Sequence, residues 1–196
     1  MNEADMERAQ AAEMPEDDVV AILLRQHARI RDLFAEVKNA QGEVKQQAFD
    51  ELRALLAVHE TAEEMIVRPV AKETAGKAEA DARNQEEKEA NKVLAQLEKM
   101  DVTDAQFDAR LAEFERAVIE HATHEEREEF PAVRGGRSED QLRDMGRRLL
   151  AAEKIAPTRP HPAAAGSPMA QWTVGPFASL VDRTRDAITH SGTSSR

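Results

Sequence analysis

Four long segments of this chain place their apolar residues alternately three and four positions apart, a spacing that admits little besides a bundle of amphipathic helices. Val20, Leu23, Leu24, Ile30, Phe34 and Val37 form the first stripe, and Phe49, Leu52, Leu56, Ile66 and Val70 the second. Ala90, Leu94 and Leu97 form a shorter third, and Phe107, Leu111, Phe114 and Val118 the fourth. Strands would need aromatic and β-branched residues, and this sequence has no Tyr and a single Trp. The fold class read here is all-α, an up-down-up-down four-helix bundle.

Local signals set the boundaries. Pro15 followed by Glu16, Asp17 and Asp18 opens the first long helix, since proline suits a first turn and acids suit the positive end of the helix dipole. Gln41–Gly42 and Gly76 mark turns, and Pro69 lies in the last turns of the second helix. Thr103 with Gln106, and Ser138 with Gln141, have capping-box spacing and open the fourth helix and a shorter one after it. The expected organisation is a flexible lead-in over residues 1–14, the bundle over 15–136, an additional helix over 137–156 and a Pro-rich tail over 157–196. Pro157, Pro160, Pro162 and Pro168 oppose a helix at the start of that tail, while residues 177–188 can form a last short amphipathic one.

Several function classes are disfavoured. The chain has no cysteine, which excludes disulfides, thiolate metal sites and cysteine catalysis. A formal net charge of −11 argues against a nucleic-acid partner. No apolar run is long enough to span a bilayer, and the acidic start MNEADMERAQ does not read as a secretory signal, so the expected location is cytoplasmic.

The informative residues are those that break the stripes. Followed at steps of three and four, the stripes run through His27 on the first helix, His59 and Glu63 on the second, and His121 and Glu125 on the fourth. Burying an unpaired carboxylate costs several kcal/mol, as a rough figure, or forces it to take up a proton. No Lys or Arg falls on the same stripe positions, so a metal ion is the economical source of positive charge. His59/Glu63 and His121/Glu125 are each four apart and share a helix face, and imidazole with carboxylate suits iron, manganese or zinc. The pairs also belong to an internal repeat, H-x3-E-x5-P, ending at Pro69 and at Pro131. Ferritin-type di-iron bundles use Glu three residues before His, and those positions are Leu56 and Val118 here.

This pattern resembles the hemerythrin/HHE cation-binding family over about residues 18–134: one His on the first helix, H-x3-E-x5-P on the second, and HATHEEREEFP at 121–131 on the fourth. The resemblance implies two non-haem irons, with His27, His59 and His121 as terminal ligands and Glu63 and Glu125 as bridges. The third helix departs from it. Family members carry one or two His there, whereas this chain has none between Gly76 and Met100. Alignment on the leucines puts Glu87 at the family's His position, with Glu86 as its neighbour. Either Glu87 serves as an oxygen ligand or one metal position is weakened. Such a swap hardens the site, favours ferric iron or manganese, and disfavours reversible dioxygen carriage.

The flanking Glu60, Glu64, Glu126 and Glu128 read as solvated, with Glu60 alone able to approach a metal, His124 as at most a partner of a ligand, and His161 and His190 as surface residues. The expected function is a di-iron protein that binds or senses dioxygen, peroxide or nitric oxide. A di-iron enzyme that decomposes peroxide or nitric oxide, and a metal-free interaction module, are the alternatives. The expected partner is a small diatomic or peroxide ligand.

Overall fold

The computed structural model describes residues 2–156, and among them the regular structure is entirely helical. The helices are α1 (Glu3–Ala12), α2 (Val19–Asn39), α3 (Gly42–Ile66), α4 (Arg68–Thr74), α5 (Lys77–Leu97), α6 (Ala105–His124), a π-helical turn (Glu125–Glu129), α7 (Phe130–Gly135) and α8 (Glu139–Glu153). The expected bundle is α2, α3–α4, α5 and α6–α7, and the additional helix is α8, packed across α2 and α3. The Pro-rich tail and residues 177–188 lie outside the described residues.

Both proline-terminated repeats interrupt their helices. Proline lacks an N–H and its ring collides with the carbonyl four residues back. At Pro69 the chain breaks at Val67 and resumes as α4. Before Pro131 the helix widens into the π turn. Residues four apart on an α-helix drift around its axis by about 40°, and the wider i→i+5 winding offsets that drift. His121, Glu125 and Glu129 consequently all stay buried on the inner side.

Three boundary expectations are corrected. Residues 1–14 are not a loose lead-in: α1 is closed by an Asn2–Asp5 capping box and packs on α2. Its inward residues are Ala4, Glu7 and Ala11, so it carries no apolar stripe to read. Ion pairs hold it instead, with Arg31 Nε 2.5 Å from Glu7 and its Nη1 2.7 Å from Glu3. The first long helix begins only at Val19, because the Asp18 carboxylate caps it by accepting from Val20 N at 2.8 Å. Asp104, not Thr103, caps α6, accepting from Gln106 N at 2.8 Å. Aspartate caps at least as well as threonine, and Thr103 is drawn away by Asp101, to which its N–H and hydroxyl both donate. The Ser138–Gln141 capping box is formed as expected.

Two apolar clusters fill the bundle. One holds Val19–Leu24 with Val67, Phe130, Val133, Leu142 and Leu149. The other holds Ile30, Leu33, Phe34, Leu52, Leu56, Leu94, Phe107, Leu111 and Phe114. His27, His59, Glu87 and His121 fall in sequence between the residues of these clusters, so a polar layer divides the core. Gly146 lets α8 approach the start of α2, and a Cβ there would collide with the carbonyl oxygen of Asp17. Gly146→Ala is expected to cost about 1–3 kcal/mol through this overpacking, read as a lower urea midpoint at unchanged slope.

Candidate metal centre

The polar layer brings together the side chains that the stripes singled out. His27 comes from α2, His59 and Glu63 from α3, Glu87 from α5, His121 from α6 and Glu125 from the π turn. All six are buried. Within these six, two groups of three have donor atoms within 4.8 Å of one another: His27, His59 and Glu125, and Glu63, His121 and Glu125; a third such group, Glu7, His27 and Glu126, lies behind His27. Glu125 belongs to the first two. One of its oxygens lies 3.5 Å from His27 Nε2 and the other 2.9 Å from His121 Nε2. Glu63 Oε2 lies 3.7 Å from His59 Nε2.

A second ring of residues orients the three imidazoles. His27 Nδ1 donates to Glu126 at 2.8 Å, His59 Nδ1 to Gln26 Oε1 at 2.8 Å, and His121 Nδ1 to Glu86 at 3.1 Å. Carboxylate and amide oxygens can only accept, so each Nδ1 carries the proton. In a neutral ring that leaves the Nε2 lone pair turned into the layer, the arrangement in which metal-binding histidines are held. Gln26 is fixed in turn by Glu153 of α8 at 2.6 Å, which ties that helix to the site.

The donor set fits a cation. His27 Nε2, Glu63 Oε1, Glu125 Oε2 and both oxygens of Glu87 are buried without a hydrogen-bond partner. A buried donor or acceptor left unpaired costs about 1–3 kcal/mol, and a charged one more, so five in one layer point to a shared positive ligand. Burial, reinforced by neighbouring carboxylates, holds Glu63 and Glu87 well above the usual carboxylate range. Glu125 goes the other way: His121, His27 and Arg68 more than offset its burial and hold it well below. Burial drives His59 down to about 3. It also pulls on His27, but Glu125 and Glu126 outweigh it and lift that ring to about 9.

Glu87 lines the same cavity as His27, His59 and His121. Glu86 does not face it: its two oxygens take His121 and His124, which makes His124 a neighbour of a candidate ligand's partner. His161 and His190 lie outside the described residues.

The expectation of solvated flanking acids is corrected for Glu60 and Glu64, which are both buried, Glu60 against Asn91 of α5. Glu60 accepts from Asn91 Nδ2 at 2.9 Å, and burial pushes it up to about 7. Glu126 is half-buried on His27, and Glu128 is exposed as expected. Two buried charged residues beside the layer escaped the stripes. Glu129 could not have been found, because the alternation after His121 and Glu125 leads to Glu128 and only the π turn keeps Glu129 inward. Nor could Arg68, because it lies off the stripe and only the break at Val67 turns it inward. Its Nη2 lies 3.1 Å from Glu125, and its Nη1 takes both oxygens of Glu129 at 2.7 and 2.9 Å. Some of the positive charge assigned to a metal is thus supplied by the protein. One guanidinium still faces Glu63, Glu87, Glu125 and Glu129 together.

A helical bundle whose core is split by a layer of inward-facing imidazoles and carboxylates belongs to the class of bundle proteins that hold cations between their helices. The family description "Hemerythrin HHE cation binding domain" matches residues 18–133, and the chain belongs to that family. A hemerythrin-like protein of Schizosaccharomyces pombe, itself uncharacterised, is 26% identical over 136 residues, covering 68% of this chain and 67% of its own. A DNA nickase of a Nostoc species is 22% identical over 145 residues, 74% of this chain but only 41% of that protein. The crystal structure of a hemerythrin HHE cation-binding domain protein from Mycobacterium kansasii superposes with a TM-score of 0.62 at 21% identity, covering 68% of this chain and 83% of that one. That likeness supports the fold.

Proposed function

We propose that this chain holds two non-haem iron ions in the layer around Glu125 and uses them to bind or sense dioxygen, peroxide or nitric oxide. The observation that carries the reading is the sharing of Glu125 between two donor groups, one built on His27 and His59 and the other on His121 and Glu63. A carboxylate with a histidine on each oxygen is placed to bridge two cations. Manganese and zinc suit the same donor types, but the carboxylate-rich half favours a hard ion such as ferric iron. Bound there, iron would supply an open coordination position and a one-electron redox change.

The protein's part is to limit access. The cavity against the layer measures about 20 Å³ and is walled by Ile30, Leu56, Ala90 and Val118 beside the imidazoles. That is room for a water-sized or diatomic guest. Among the described residues no helix is long and apolar enough to cross a membrane. With a net charge of −11, the chain offers no support for carrying over the DNA chemistry of its Nostoc relative.

A second reading, turnover of peroxide or nitric oxide, is favoured by one observation. Glu60 lines the cavity wall and burial sets it at about 7, where a carboxyl can give and take a proton at neutral pH. Loss of peroxide no faster than with equivalent free iron would dismiss that reading.

Metal content by plasma mass spectrometry, with an absorption spectrum in air, tests the main proposal. Two irons per chain with near-ultraviolet oxo-bridge bands are expected. Chelation is expected to lower the melting temperature, because metal bound only to the folded state adds to its stability. An iron-free preparation whose melting temperature ignores both chelator and added iron would leave a bare helical interaction module.

A further inference from the structure

We infer that Arg68 competes with a cation for the second metal position, so that the two positions fill unequally. The inference rests on the two-position reading above. Arg68 Nη2 lies 3.1 Å from Glu125 Oε1, 3.9 Å from Glu63 Oε2 and 4.0 Å from Glu87 Oε2. These are the carboxylates that a cation beside His121 would take. The guanidinium therefore sits among that cation's own ligands, and it cannot shed its charge to make way.

The other half of the fork points elsewhere. Nη1 holds both oxygens of Glu129, which is fully buried on the π turn. Arg68 thus bridges the metal layer and an anchor outside it. It can keep the anchor while ceding the layer.

The internal repeat shows why this falls on one side. Arg68 and Phe130 stand at equivalent places, each the residue before the proline of its H-x3-E-x5-P copy. Phe130 stacks on His27, with ring centroids 5.5 Å apart and planes 23° apart. One copy sets a neutral ring against the His27–His59 position, and the other sets a fixed cation against the Glu63–His121 position. The pseudo-symmetric layer is chemically asymmetric at this pair of residues. The His27–His59 position fills first, and the second must share its carboxylates with Arg68. As a positioning residue, Arg68 would hold Glu63, Glu87 and Glu125 together until the second ion arrives.

The test is a cobalt(II) titration of the chelator-stripped, full-length protein, followed by calorimetry and visible absorption. The wild type is expected to take up cobalt in two steps separated by about tenfold or more in affinity. In Arg68→Met the second step should tighten selectively, closing that separation, while the stripped protein melts at a lower temperature. Arg68→Lys keeps the charge but cannot grip Glu129 through two N–H groups and still span the layer, so its separation should fall in between. It decides the question if the Met variant does not fold. Equal tightening of both steps would reduce Arg68 to a general field effect and overturn the inference, as would an unchanged ratio in the variants. Disappearance of the second step would overturn it too, making Arg68 a support of that position. Failure of the wild type to take up any cobalt would overturn the two-position reading along with this one.

Discussion

Glu125→Ala should cost the protein both metal positions at once, whereas Glu63→Ala should cost only the second. The contrast follows from geometry. Glu125 is common to both donor groups and has a histidine on each oxygen, at 3.5 and 2.9 Å. Glu63, which the resemblance casts as a second bridge and whose Oε2 lies 3.7 Å from His59 Nε2, shares a donor group only with His121 and Glu125. Losing a partner that merely orients a ligand typically weakens metal binding by about 10–100-fold, so losing a ligand shared by two ions should exceed that at each. The measurement is iron per chain after reconstitution and gel filtration: about none for Glu125→Ala and about one for Glu63→Ala, against two for the wild type. Helical circular dichroism must accompany it, because Arg68 and His121 lose a buried partner in the first variant. Equal iron retention by the two variants, with both folded, would refute the bridging role of Glu125. Gln26→Leu should show the milder effect, since it removes the acceptor that orients His59 and the donor to Glu153 but no candidate ligand.

The bundle was legible in the sequence because helix period and burial coincide along α2, α3, α5 and α6. The residues that broke the stripes proved to be buried in one layer, as their phase required. Two kinds of feature escaped. The first is structure held by charge: α1 has no stripe and docks through Glu3 and Glu7 to Arg31, a pairing across chain separation that no local period encodes. The second is structure set by irregular backbone. Arg68 faces the site only because the helix breaks at Val67, and a stripe extended through that break keeps it outside. The inference that the buried acids need a cation was sound in its physics but overlooked a cation the chain itself supplies. Glu60 and Glu64 were misread for a related reason. A Glu-rich helix face looks solvated until a side chain from a distant helix, Asn91 of α5, meets it at Glu60.

Stability should fall with rising pH in the stripped protein but hold level in the iron-loaded one. In the stripped protein, His27 is raised to about 9, so its contribution is full below the ordinary 6.5 and is lost as pH rises through 9. His121 is raised well above 6.5 and acts in the same sense. Glu63 and Glu87 are raised well above 4.5, so they too stabilise while protonated and cease to as pH climbs. Glu60 follows them, losing its contribution between 4.5 and about 7. His59 opposes this only on the acid side: lowered to about 3, it stabilises above 6.5 and loses that as pH falls. Between 6.5 and about 9 the stripped protein should therefore melt at progressively lower temperatures. Iron binding must displace the same protons, from His27 and His121 and from Glu63 and Glu87, so its affinity rises across that window. The gap in melting temperature between loaded and stripped protein should widen steadily from pH 6.5 to about 9, and calorimetry in buffers of different ionisation enthalpy should register proton release on binding. A gap independent of pH, with no protons released, would mean that the ions bind away from this layer.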